Sequence, residues 1–424
     1  MSFEEQNRRA IIDYFERGAK GERSRGSLGV EVEQFIVDAD SLHGVPYSRP
    51  DGGMGVHEVL EYLSQFYPQR GYTREGDLIS LDSPEANITL EPAAQIEISI
   101  APYSSIADIM RVYGDFRARL DPFLAEHGCK VVTEGYHPRD KSQDLQLIPK
   151  LRYRYMDDYF RDIGTHGERM MRASASTQVS VDFLDEADAV RKMRVAQALA
   201  VVLSSLADNV GCMEGAPTDK PLERLYLWRD VDDARTGSVP GLFEDGYGFE
   251  DYVDWVMRTC PIFITRAAAD DPQGPSVRGM AGRTAAEAYA DAPMDEEDIE
   301  HLLSMFWPDV RLKKFVEIRP ADSMPAELIA GYAALIKGIF YSEDSLRAVE
   351  EAFGAADGHW SLDDDSTYHA LCAVREGGDG AIIYGQPLRE WQDFVLGLAH
   401  AALDEEDRGW LSALEERTER RREA

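Results

Sequence analysis

Glutamate recurs at every second position in segments of this chain that otherwise read as β-strands, and that recurrence limits what the chain can fold into. Gly29-Val-Glu-Val-Glu-Gln-Phe carries Glu31 and Glu33. Leu90-Glu-Pro-Ala-Ala-Gln-Ile-Glu-Ile-Ser carries Glu91, Gln95 and Glu97, which share parity across Pro92. Thr177-Gln-Val-Ser-Val-Asp carries Gln178, Ser180 and Asp182, and Val316-Glu-Ile-Arg carries Glu317 and Arg319. Side chains two apart on a strand share a face, and Glu is a poor strand former. For any one pair alone, a solvated sheet face is the ordinary explanation. If the strands share one face, at least four carboxylates converge, repel one another and raise one another's pKa values. Divalent cations remove that repulsion. Oxygen-only ligands suit Mg²⁺ or Mn²⁺, and Mg²⁺ takes a few carboxylates while phosphate oxygens complete its shell. ATP is a natural guest for such a site. Arg319, on the face of Glu317, offers a guanidinium to a phosphate.

The balance of charge narrows the partners. Lys and Arg total 45 against 78 Asp and Glu, a net charge of −33. Such a field repels phosphate, which argues against nucleic acid and against an anionic membrane surface. Hydrophobic residues make up 44%, enough for a sizeable core. The N-terminal residues show no apolar h-region, and the expected compartment is the cytosol. The most apolar helical stretch, 195–210, is broken by Gln197, Ser204, Ser205, Asp208 and Asn209, so it reads as a buried helix and not a membrane span. The four cysteines form no CxxC and read as reduced thiols. There is no GxxxxGK[ST], no GxGxxG and no GxSxG, and His57-Glu-Val-Leu-Glu61 lacks the second histidine of a zinc protease helix.

Periodicity predicts helices over 3–20, 57–66, 105–127, 152–160 and 187–209, and strands over 27–38, within 78–99, and over 130–134, 174–183 and 315–319. Residues 228–250 read as a loop dense in Gly and Asp, and 266–298 as a weakly structured excursion. Residues 325–353 and 388–422 read as helices. The division expected is a catalytic body over 1–325 and a helical lobe over 326–424 packed on it.

Five blocks resemble, in order, the plant and bacterial branch of the glutamate–cysteine ligase family. They are Gly29-Val-Glu-Val-Glu-Gln-Phe, Thr89-Leu-Glu-Pro-Ala-Ala-Gln-Ile-Glu-Ile-Ser, Met170-Met-Arg-Ala-Ser-Ala-Ser-Thr-Gln-Val-Ser-Val-Asp, Asp232-Asp-Ala-Arg-Thr-Gly and Glu317-Ile-Arg-Pro-Ala-Asp. The resemblance implies an α+β, glutamine-synthetase-like fold: a curved, largely antiparallel sheet with a polar concave face and helices on the convex face. Val179, Val181, Ile96, Ile98, Val316 and Ile318 would point to the convex side. It also implies ATP-dependent ligation of the γ-carboxylate of L-glutamate to the amine of L-cysteine through a γ-glutamyl phosphate. By motif, Glu31, Glu33, Glu91, Glu97, Gln178 and Glu317 would be the magnesium shell, and Arg319 would neutralise charge on the phosphoryl group. Arg172 and Arg235 would meet the glutamate carboxylates or the phosphates. Asp232 would hold Arg235 or orient the amine, and Trp228 and Tyr226 would line the acceptor pocket. The glycines of 233–248 suit a segment that closes over the acceptor.

Two departures stand out. Ala93-Ala94 replace the family's Gly-Gly, and because Ala favours φ < 0 a slightly different turn is expected there. Trp307-Pro-Asp-Val-Arg311 replaces Phe-Pro-x-x-Arg. The resemblance leaves open a ligase of the same mechanism with another amine, a guanidino phosphotransferase on the same fold, and a non-catalytic protein with a decayed site.

Overall fold

In the computed structural model, which describes residues 2–23, 26–50, 52–265, 278–280, 282–355 and 359–423, the alternating segments assemble into one antiparallel sheet. Its strands are β1 (Leu28–Asp38), β2 (Gln69–Tyr72), β3 (Leu78–Asp82), β4 (Ala86–Leu90), β5 (Ile96–Tyr103), β6 (Cys129–Val132), β7 (Thr177–Val181), β8 (Val310–Leu312) and β9 (Val316–Ile318). The order is β8-β9-β7-β1-β5-β4-β3-β2, with β6 paired to the far end of β1. β1 is central because it is long. Its first half lies between β5 and β7, and Phe35 to Asp38 pair with β6.

Register puts one parity of every strand on each face. Val30, Val32, Ile96, Ile98, Val179, Val181, Val316 and Ile318 are all fully buried. Helices Ile106–Glu126, Glu186–Ala207 and Ala326–Phe340 cover that side. Burial of each such side chain stabilises by about 1.5–3 kcal/mol, so a one-residue slip in register is strongly disfavoured. The 186–207 helix is apolar nearly all round because it lies inside the molecule, between the sheet and the C-terminal helices. No helix among the described residues is long and apolar enough to cross a membrane.

Several expectations need correction. The 325–353 stretch is two helices, Ala326–Phe340 and Glu343–Ala352, because Ser342 adopts an extended backbone and caps the second. The 388–422 stretch is three: Leu388–Ala402, Glu405–Gly409 and Ser412–Glu423, with Asp404 capping the middle one. Of the 266–298 excursion, 266–277 lie outside the described residues. Its remainder contains helices Ala285–Ala288 and, opening at Asp295, Glu296–Leu303, each started by a capping box. Within 233–248, Thr236–Gly237 forms a parallel pair with Trp307–Pro308, and the Gly241 amide donates to Asp364. Strands β2 and β8 were not anticipated.

The turn between β4 and β5 differs from expectation in a particular way. Ala94 sits at φ 68°, in the left-handed region, so alanine occupies a glycine-type position and not the φ < 0 it favours. The Ala94 amide donates to the Glu91 carbonyl at 3.0 Å and the Glu91 amide to the Gln95 carbonyl at 2.9 Å. The Gln95 side chain accepts from the Ala93 amide at 2.8 Å and donates to the carbonyls of Met171 and Ser174. The turn that carries Glu91 is thereby tied to the 167–173 helix and the chain leading into β7.

Candidate active site

The polar parity of the sheet faces one cavity of about 250 Å³. Across the strands the register sets Arg311 opposite Glu317, Glu317 opposite Ser180, Glu31 opposite Gln178 and Ser99, and Glu33 opposite Glu97, with Thr89 on the far side of Glu97. Like charges directly opposite one another destabilise a sheet, so the Glu33–Glu97 pair needs compensation. Glu31, Glu33, Glu91, Glu97, Gln178, Arg319 and Trp228 all line the cavity.

The four carboxylates are unequal. Glu33 accepts from the Ser176 amide at 2.7 Å and from Gln178 Nε2 at 3.0 Å. Glu97 accepts from Thr89 Oγ1 at 2.7 Å and Ser99 Oγ at 3.1 Å. Burial raises the pKa of both, and the Glu33 charge raises that of Glu97 further. Among the described residues no donor reaches the carboxylates of Glu31 or Glu91. Burial, then Glu97 and Glu317, push Glu31 up to about 7. Burial, then Glu97 and Glu33, push Glu91 up to about 8. Burial and the neighbouring acids raise these two above the usual carboxylate range, offset only in part by Lys313 and Arg311 at Glu31 and by Lys150 and Arg152 at Glu91.

Glu317 behaves differently. Burial raises its pKa, but Arg311, Lys313 and Arg319 together hold it well below the usual carboxylate range. Arg311 binds it through two nitrogens at 2.6 and 3.1 Å, Arg319 reaches it at 3.1 Å and Lys313 at 3.4 Å. Glu317 is fully buried beneath the lining, where it is the shared counter-ion of three cations. Arg319 also donates to Gln178 Oε1, so the Gln178 amide bridges Arg319 to Glu33.

The structure does not bring Arg172, Asp232 and Arg235 to the described lining. Arg172 pairs with the buried Asp157 at 2.5 Å and donates to the Leu145 carbonyl. Arg235 pairs with Asp232 at 2.5 Å and donates to the carbonyls of Met305 and Cys260, and Tyr159 donates to Asp232. Tyr226 also lies outside the lining, beneath the Arg375 guanidinium. Conversely, Arg152, Arg224 and Arg311 line the cavity together with Tyr153, Met156, Met170, Met171 and Trp307, and sequence reasoning assigned none of these a role. For Arg311 a signal existed in its fixed place within the Trp307 to Arg311 block. Arg224 carried none, being one residue of a five-residue helix.

The donor set fits a hard divalent cation. Four carboxylates line one cavity, two of them without a protein donor. Among the described residues no three His, Cys, Asp or Glu side chains stand as a closed metal shell. Mg²⁺ needs none, since it binds through one or two carboxylates plus waters and phosphates.

The model of glutamate-cysteine ligase family 2 (GCS2) matches residues 27–420. Rice (Oryza sativa subsp. japonica) glutamate–cysteine ligase B, chloroplastic, is 28% identical over 342 residues, covering 80% of this chain and 67% of the rice protein. The chloroplastic glutamate–cysteine ligase of Arabidopsis thaliana is 29% identical over 350 residues, covering 82% of this chain and 66% of its own. The match thus spans about two thirds of the plant proteins' length. The crystal structure of a Francisella tularensis glutamate–cysteine ligase in complex with AMP shares the fold, with a TM-score of 0.53 at 10% identity over 92% of this chain and 81% of that one. With the family model matching nearly its whole length, the chain belongs to glutamate-cysteine ligase family 2.

Proposed function

We propose that this chain joins the γ-carboxylate of L-glutamate to the amine of L-cysteine with cleavage of ATP, giving γ-glutamylcysteine, ADP and phosphate. The observation that carries the reading is the convergence of Glu31, Glu33, Glu91 and Glu97 with Arg319 on one cavity, in a chain of this family. The same convergence supports a glutamine-synthetase-like arrangement in which the polar face of the sheet is the concave one.

A γ-carboxylate oxygen of glutamate attacks the terminal phosphorus of ATP, and ADP leaves with the bonding pair. The amine nitrogen then attacks the activated carbonyl carbon, the C–N bond forms, and phosphate leaves as the nitrogen loses a proton. Arg319 lies at the cavity wall and sets a guanidinium against charge that develops on the transferred phosphoryl oxygens. Glu317 fixes that guanidinium from below, and Gln178 fixes it from the side. Glu31, Glu33, Glu91 and Glu97 would hold Mg²⁺ or Mn²⁺. A cation there supplies positive charge that neutralises the buried acids and the phosphate oxygens. Arg311 and Lys313 neutralise Glu317, which therefore belongs to the support of Arg319. Trp228 and Trp307 also line the cavity, their ring centroids 6.4 Å apart.

The test is ADP release from the purified protein with Mg-ATP and glutamate, with and without cysteine, and mass measurement of the product. Cysteine-dependent release with γ-glutamylcysteine as product is expected. Release that depends on a different amine would move the acceptor, and no release from a folded, metal-loaded sample would overturn the reading.

A further inference from the structure

Four arginines line the cavity, and three of them have a carboxylate within ion-pair distance. Arg311 and Arg319 share Glu317, and Arg224 stands 4.0 Å from Asp322. Among the described residues Arg152 alone of the four has no carboxylate within ion-pair distance. Its guanidinium instead donates to Ser304 Oγ and to the Ser304 carbonyl, both at 2.8 Å. These two neutral bonds hold the fork in place without cancelling its charge, and Glu91, whose carboxylate acts on it, stays beyond ion-pair distance. A half-buried, oriented guanidinium with no carboxylate in contact is an anion site, and its planar fork matches a carboxylate.

Its surroundings select the anion. Arg152 lies on helix Leu151–Phe160, one turn before Met156, so both side chains share a face. Met156, Met170 and Trp307 line the same cavity and offer it thioether and indole surface. A ligand anchored at Arg152 by its carboxylate lays its side chain on apolar, polarisable atoms. A short thiol side chain suits that surface. Glutamate held the same way would press a second carboxylate against it, which is costly. Phosphate oxygens are served by Arg319 beside the acids of the sheet.

We infer that Arg152, held by Ser304, anchors the α-carboxylate of the acceptor amino acid and that Met156, Met170 and Trp307 seat its side chain. This rests on the ligase reading and adds where the acceptor binds and why the acceptor is an amino acid and not a simple amine.

The test pairs a substrate deletion with a side-chain deletion. Cysteamine is cysteine without its carboxylate. With saturating Mg-ATP and glutamate, the wild type should prefer cysteine to cysteamine by at least roughly tenfold in kcat/KM. Arg152→Gln should lower kcat/KM for cysteine by about 10- to 100-fold and leave that for cysteamine within about threefold. Arg152→Lys should recover part of the loss. Equal use of the two amines by the wild type overturns the inference without any variant, and it leaves the ligase reading intact. A parallel fall for both amines in Arg152→Gln, or a rise confined to the KM of glutamate, overturns it as well. Absence of ADP release with every amine would instead be failure of the ligase reading.

Discussion

The raised pKa of Glu91 has a consequence for stability that can be measured without any substrate. Burial lifts its pKa from the usual carboxylate value to about 8 in the folded protein. A carboxyl whose folded pKa is raised stabilises fully below its unfolded pKa, and that contribution drains away as pH rises through the folded pKa. Between pH 6 and pH 7.5 the folded Glu91 keeps most of one proton that the unfolded chain has already lost. Each retained proton costs about 1.4 kcal/mol per pH unit. Over that range the wild type therefore loses roughly 2 kcal/mol that Glu91→Gln does not lose. For a chain of 424 residues the unfolding entropy is about 0.9 kcal/mol per kelvin, so the gap corresponds to roughly 2 °C in Tm. Melting curves in EDTA at several pH values, for wild type and Glu91→Gln together, read this residue along with the effect of its charge on Glu97 and Glu33. The variant should gain on the wild type as pH rises, and saturating Mg²⁺ should abolish the trend. A gap that stays constant with pH in EDTA, or one that grows in favour of the wild type, would refute the placement of Glu91 as an acid of the cavity with no hydrogen-bond donor.

Three further expectations follow from the same geometry. Arg311→Met removes the bidentate partner of a fully buried carboxylate and should destabilise by about 3–5 kcal/mol, less than fully relieved by the remaining Lys313 and Arg319; urea denaturation measures it, and a loss under about 1 kcal/mol contradicts the pairing. Glu97→Gln should abolish ligation while Tm moves by only a few degrees, because Thr89 and Ser99 can still donate to the amide oxygen; retained turnover would remove Glu97 from the site. Ala94→Gly relieves a left-handed alanine, a strain of about 1–2 kcal/mol, whereas Ala93→Gly only adds freedom to the unfolded chain. Ala94→Gly should therefore be the more stable of the two by about 1 kcal/mol in thermal melts, and the reverse order would contradict the strain.

The strand parities were legible in the sequence because a period of two leaves little freedom: once Glu31 and Glu33 face one way, Val30 and Val32 must face the other. The convergence of Glu91 and Glu97 with them followed from the same rule. Arg152, Arg224 and Arg311 were not legible as lining. Arg311 belongs to a strand of three residues, too short to show alternation. Arg224 sits in a helix of five residues entered through Leu222 at φ 59°, a backbone state no local pattern announces. Arg152 reads like any arginine on an amphipathic helix until the fold sets Ser304 against it. For Arg172 motif order could not reveal the buried partner, whereas the hold of Asp232 on Arg235 was among the expectations. Asp157 and Asp232 already neutralise the two arginines in the fold. The breaks in the C-terminal helices were marked by the capping residues Ser342 and Asp404, a signal that apolar periodicity alone passes over.

The most direct test of the chemistry follows one oxygen atom. Glutamate labelled with ¹⁸O in its γ-carboxylate is turned over with Mg-ATP and cysteine, and the released phosphate is analysed by mass. If the γ-carboxylate attacks phosphorus before the amine arrives, each turnover carries one labelled oxygen into phosphate. Phosphate released without label, alongside formation of γ-glutamylcysteine, would contradict activation through the acyl phosphate and with it the role assigned to the cavity.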